Sequence, residues 1–159
     1  MNDLHRCSAL DLAAMIRTGR VSSREVVESH IAQVRRVNPQ VNAMVSDRFD
    51  DARAEADAAD ARRAKSPDDL PLLHGVPCTI KESFSVTGMP WTAGLVSRRG
   101  VRAGGDAVTV QRLRAAGAIV LGVTNTSELC MWMESVNRVY GRTTSAYDTG
   151  RTSGGSSGG

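Results

Sequence analysis

The sequence predicts an α/β chain in which helices come first and a largely parallel sheet, buried on both faces, follows. Three observations carry this expectation. Apolar residues recur at helical spacing up to Lys65, and the pattern beyond Pro71 switches to short apolar strands alternating with a helix. Aromatic residues are only 4% of a chain that is 41% hydrophobic, so alanine, valine and leucine must fill the core, which suits helices packed on a sheet. The pattern divides one domain into a helical N-terminal region, 1–70, and the start of an α/β core, 71–159.

The stretch "SALDLAAMIRTG" reads as a short helix. Ser8 is its N-cap, Asp11 follows three residues later, Leu12, Met15 and Ile16 share a face, and Gly19 closes it. In "SSREVVESHIAQVRRVNPQ", Ser22 and Glu25 make a capping box and Val27, Ile31 and Val34 recur at helical spacing. Asn38-Pro39 is expected to end that helix. A short extended stretch, "NAMVS", precedes "DRFDDARAEADAADARRAK", a charged helix that covers its neighbour with an alanine stripe. "SPDDLP" is loop. "GVPCTIK" places Val76, Cys78 and Ile80 on one face of a strand that ends in a lysine. "GGDAVTVQRLRAAGA" is a helix with Asp106 as N-cap, Val110 and Leu113 buried and Gly117 as stop, and "IVLGVTN" is an apolar strand. From Thr126 onward the chain reads as polar loop and glycine with one short helix at most.

Composition narrows the function classes. A formal charge of +3 and 23% charged residues of both signs, interleaved along the chain, give no basic stripe for nucleic acid. Cys7, Cys78 and Cys130 form no CxxC pair, and His5, His30 and His74 lie far apart, so neither a disulfide framework nor a zinc site is expected. Reduced cysteines, no basic-plus-apolar leader and no long apolar stretch point to a soluble cytoplasmic protein without a membrane span.

Arginine supplies all but two of the 20 basic side chains, so Lys81 stands out beside Lys65. It ends an apolar strand, where the C-terminal edge of a parallel sheet commonly presents functional groups. Lysine accepts a proton only when neutral, and a low-dielectric pocket favours that form; on position alone a solvated surface lysine is the commoner case. The closing run "RTSGGSSGG" offers a second feature. Glycines on both sides of Ser156 and Ser157 let a substrate approach the main chain, and a serine can relay protons if a base reaches it. Taken by itself the run reads as a flexible linker, and it lacks the lysine and spacing of a phosphate-binding loop.

Taken together and in order, "GVPCTIKESFSVTGMPWTAG", "GDAVTVQRLRAAGAIVLGVTNTSEL", "YGRT" and "GGSSGG" resemble the amidase signature family, the serine amidohydrolases with a Ser-cisSer-Lys triad. The resemblance runs through essentially the whole chain. It implies part of the amidase signature fold, a mixed, largely parallel sheet between helical layers that is left incomplete. Lys81 matches the family's catalytic lysine in G-V-P-x-x-x-K, and Ser156 matches the serine held by a cis peptide bond. Ser157 matches a supporting hydroxyl. Cys130, Met131 and Trp132, after the T-N-x-x-E segment Thr124–Glu128, match the wall of the acyl pocket, although packing alone could account for Met131 and Trp132. The implied reaction is hydrolysis of a carboxylic amide through an acyl-enzyme, without metal or organic cofactor. The partners implied are a small-molecule amide substrate and, at most, a second copy in a homodimer.

The family's nucleophilic serine and oxyanion hole lie downstream of the Gly-Ser run, so the 159 residues are expected to be inactive alone, as a truncated amidase. Two departures bear on the serine loop: "TTSAYD" stands where relatives have an Asn-Pro turn, and "TSGG" lacks a proline before the glycines. Two other readings compete: a binding or pseudoenzyme domain without turnover, and a component of an amidotransferase that works on aminoacyl-tRNA. The missing basic stripe argues against the latter.

Overall fold

The computed structural model describes residues 3–159 and resolves them into two compact units. The first comprises residues up to Val34, Arg48–Cys78 and Gln111–Leu121; the second comprises Arg35–Asp47, Thr79–Val110 and Gly122–Gly159.

In the first unit the caps read from the sequence are in place. Helix α1 (Ala9–Arg17) starts at Ser8, whose hydroxyl accepts from the Asp11 N–H at 3.1 Å. Helix α2 (Ser23–Val41) starts with the reciprocal box: the Glu25 N–H donates to Ser22 Oγ at 3.0 Å, and the Ser22 N–H donates to Glu25 Oε2 at 2.8 Å. Leu12, Ile16, Val21, Val26 and Val76 are buried together in one apolar cluster. In α3 (Phe49–Lys65) the expected alanine stripe is Ala52 and Ala56, both fully buried. Its opposite face is charged, and Arg48 at its start pairs with Glu55 at 2.8 Å.

Helix α2 does not stop at Asn38-Pro39. It runs through Pro39 to Val41. A proline this near a C-terminus removes a single donor, and the end is instead organised by side-chain and backbone geometry. Asn42 takes the left-handed conformation (φ 51°), and Asn38 Oδ1 accepts from the N–H groups of Ala43 and Met44 at 2.9 and 2.8 Å. That turn delivers the chain into strand β1 (Met44–Asp47).

The sheet has the order β1-β3-β2, with β2 at Pro77–Lys81 and β3 at Ile119–Thr124. β1 runs antiparallel to β3, with Met44 opposite Thr124 and Asp47 opposite Gly122. β2 runs parallel to β3: Val76 O accepts from Ile119 N at 2.8 Å, and Glu82 N donates to Thr124 O at 2.9 Å. Helix α4 (Val108–Ala115) lies in the crossover that a parallel pair requires. Asp106, expected as its N-cap, lies two residues before the helix and accepts from Thr87 N at 2.7 Å. The expectation of burial on both faces holds for the central strand alone. All six residues of β3 are buried, whereas Thr79 in β2 and Asp47 in β1 are exposed. A small antiparallel pair, β4 (Val136–Asn137) and β5 (Gly141–Arg142), follows in the second unit.

Candidate active site

Alternation along β2 turns Ile80 into the core and leaves Lys81 half-buried at the strand's end. The chain's last segment meets it there: Lys81 Nζ donates to Ser156 Oγ at 2.6 Å. The Gly155–Ser156 peptide bond is cis. The loop carrying Ser156 lies alongside the segment that follows β3. Ser127 N donates to Ser156 O at 3.2 Å, Thr126 bridges to Ser157, and Gly158 N donates to Asn125 O at 3.0 Å. Gly155 is required by space: a Cβ there would lie 2.6 Å from the Trp132 carbonyl oxygen and 2.7 Å from Glu134 N. The run is therefore packed and hydrogen-bonded, and the linker reading of "GGSSGG" does not describe it.

Of the other residues singled out from the sequence, Cys130 is brought to the pair. It sits in a tight turn, Glu128–Cys130, where Leu129 and Cys130 both have positive φ (52° and 61°), and its Sγ lies 3.4 Å from Thr126 Oγ1. Burial by itself raises the Cys130 thiol. Hydrogen bonds from Ser83, Thr126 and Lys81, with the positive charge of Lys81, outweigh that and hold it below its ordinary value. Ser157 is exposed and contributes its backbone to the bridge with Thr126. Met131 and Trp132 do not pack as core residues, being 78% and 58% exposed.

Sequence reasoning missed the polar scaffold beneath this site. Asn125 is fully buried; its Nδ2 donates to Thr143 Oγ1 at 3.0 Å, while its Oδ1 accepts from Thr126 N at 2.9 Å and from Asn137 Nδ2 at 2.8 Å. Glu82, next to Lys81, is also fully buried and is hydrogen-bonded to Thr92, Ala93 and Tyr140. A signal existed for the first: "TNTSE" places a polar run directly after a buried strand, where each group must find a partner. Among the described residues no group of three or more His, Cys, Asp or Glu side chains is placed to hold a metal ion. No helix among them is long and apolar enough to cross a membrane. A cavity of about 290 Å³ in the first unit, lined by Glu55, Arg62, His74, Arg114 and Ile119 among others, includes neither Lys81 nor Ser156. Its charged lining is already engaged, with Glu55 3.1 Å from Arg114 and Arg62 3.6 Å from Asp69, so it offers no comparable chemistry.

The model of the Amidase family matches residues 25–159. This chain belongs to the amidase family. It is 50% identical to fatty-acid amide hydrolase 2-A of Danio rerio, over 99% of this chain and 31% of that protein. It is 40% identical to a glutamyl-tRNA(Gln) amidotransferase component of Acidothermus cellulolyticus, over 100% of this chain and 31% of that one. A solved fatty acid amide hydrolase superposes with a TM-score of 0.92 at 25% identity, over 98% of this chain and 27% of that structure. The amidase chain thus spans under a third of the length of these relatives and has the fold of an N-terminal portion of them.

Proposed function

We propose that this chain carries the proton-relay half of an amide hydrolase, with Lys81 as base and Ser156 as relay. The observation that carries the reading is the 2.6 Å contact between Lys81 Nζ and Ser156 Oγ at the C-terminal end of β2. In the reaction, neutral Lys81 takes the Ser156 hydroxyl proton while Ser156 takes the proton of a nucleophilic serine, which the family carries beyond the Gly-Ser loop. That serine's oxygen bonds to the amide carbonyl carbon. The relayed proton then passes to the nitrogen, the C–N bond breaks and the amine leaves. Water, deprotonated by the same relay, adds to the ester, and the acid departs as the serine regains its proton.

Fatty-acid amides are the favoured substrate class. The 50% identical relative is named for them, and the turn beside Lys81 exposes Leu129, Met131, Trp132 and Met133, an apolar surface suited to an acyl chain. The amidotransferase reading rests on 40% identity to a named component of such an enzyme and predicts activity that needs partner proteins and tRNA.

The test is hydrolysis of a long-chain primary amide by the native-length protein, without partners. Lys81→Ala and Ser156→Ala are each expected to lower kcat/KM by about 10²–10⁴-fold, the usual contribution of a positioned proton carrier. Undiminished hydrolysis by Lys81→Ala would overturn the reading.

A further inference from the structure

The Glu82 carboxylate is fully buried, and four donors converge on it. Oε1 accepts from Thr92 N at 2.6 Å, from Thr92 Oγ1 at 2.8 Å and from Tyr140 Oη at 2.6 Å; Oε2 accepts from Ala93 N at 2.8 Å. A buried carboxylate is tolerable only when satisfied in this way, and breaking such a network leaves unpaired groups behind. Tyr140 is kept as a donor, since burial and the hydrogen bond into Glu82 push its hydroxyl well above its ordinary value. Thr92 Oγ1 in turn accepts from Gly94 N at 3.0 Å.

The residues held by Glu82 lead to both members of the proposed pair. On one side, Glu82 is bonded in sequence to Lys81, and its N–H donates to Thr124 O at 2.9 Å, which fixes the backbone from which the lysine projects. On the other, Ala93 is held with positive φ (49°), and its carbonyl accepts from Leu129 N at 2.8 Å. Leu129 belongs to the turn that Ser127 precedes, and Ser127 donates its N–H to Ser156 O at 3.2 Å and accepts from Trp132 N on its hydroxyl at 3.2 Å. Successive side chains of an extended backbone point in opposite directions, so Lys81 can reach Ser156 while Glu82 grips the 92–94 turn behind it.

We propose that Glu82 is a positioning residue for the Lys81–Ser156 pair, its carboxylate holding the lysine's backbone and the Ala93–Leu129 support of the serine loop in one register. This rests on the amide-hydrolase reading above. Neither oxygen of Glu82 is expected to touch substrate. It acts by keeping Nζ and Oγ at transfer distance, and a displacement of about 1 Å at such a contact lowers turnover roughly 100-fold.

Glu82→Gln tests it. The amide is nearly isosteric with the carboxylate, but its NH₂ cannot accept. With the amide oxygen kept at the three-donor Oε1 position, the NH₂ faces Ala93 N and the Ala93–Leu129 support is released. In the native-length protein, assayed well below the variant's melting temperature, kcat is expected to fall by about 100-fold with KM within a few-fold of the parent. A variant that melts lower but turns over at the parental kcat would show a purely structural role and overturn the proposal. Tyr140→Phe removes one donor and keeps the ring, so it decides the matter where Glu82→Gln fails to fold. A fall in kcat of roughly 10-fold or more at constant KM is expected for one lost hydrogen bond to a charge, and parental kcat would refute the idea. Lys81→Ala is run in parallel. If it abolishes hydrolysis while Glu82→Gln leaves it intact, only the positioning role fails; if Lys81→Ala is fully active, the amide-hydrolase reading fails first.

Discussion

Replacing Gly155 with alanine puts the packing of the serine loop to a direct test. The added methyl would sit 2.6 Å from the Trp132 carbonyl oxygen and 2.7 Å from Glu134 N. The Met133 carbonyl carbon lies closer still; ordinary carbon contacts begin near 3.5 Å, so the backbones must separate by about 1 Å, and all three partners are main chain with no rotamer to turn away. Overpacking of this kind costs about 1–3 kcal/mol, and the absence of a yielding side chain puts Gly155→Ala at the upper end. For a chain of 159 residues, at about 2–4 °C per kcal/mol, that corresponds to a melting midpoint lower by roughly 6–12 °C. Moving Ser156 by a comparable distance breaks its 2.6 Å contact with Lys81, so hydrolysis by the native-length protein should fall about 100-fold. Gly154→Ala is the matched control: nothing lies within 4 Å of a Cβ at that position, and its effect should stay within about 0.5 kcal/mol. Scanning calorimetry and amide hydrolysis on the pair decide it. Equal melting and equal turnover for the two alanine variants would refute the argument that the loop is sterically locked.

Two further outcomes are expected. The Glu25 carboxyl is held below its ordinary range, chiefly by the Ser22 backbone N–H and then by the Ser22 hydroxyl. A carboxylate with a depressed folded-state pKa stabilises fully above its unfolded value near 4.3 and loses that contribution as pH falls through the folded value. Denaturant unfolding of the parent should thus weaken below about pH 4 more than that of Glu25→Gln, and identical pH slopes would contradict the capping box; Ser22→Ala should remove about 1 kcal/mol at pH 7. Thiol reactivity should also separate two cysteines. Burial pushes Cys78 up to about 11, whereas Cys130 is exposed and held below its ordinary value. Iodoacetamide at pH 7.5 should therefore label Cys130 well before Cys78, as followed by peptide mass spectrometry, and equal rates would count against the described environments.

What the sequence determined by itself is local or is written as a motif. Ser8 with Asp11 and Ser22 with Glu25 cap helices because the interacting groups are three residues apart, a distance that helical geometry sets regardless of the rest of the fold. The alanine stripe of α3 and the apolar run of β3 were legible for the same reason, since periodicity alone assigns their buried faces. Lys81 and Ser156 could be singled out together only from the order and filling of their motifs, because nothing in spacing or composition ties residues 75 positions apart.

Tertiary structure decided the rest. Whether Pro39 ends α2 depended on Asn38 and Asn42 turning the chain after Val41, which outweighed the local signal of Asn-Pro. Burial on both faces holds for β3 and not for β1 and β2, because what covers a strand is set by the elements packed on it, which no single strand encodes. Glu82 reads in sequence as one more charged residue after a strand. Its role comes from Tyr140, 58 residues away, and from backbone donors at Thr92 and Ala93, and backbone donors leave no mark on residue identity. Buried polar groups are held by partners that only the folded chain brings within 3 Å, so their function becomes visible where packing removes water and each donor and acceptor must be accounted for.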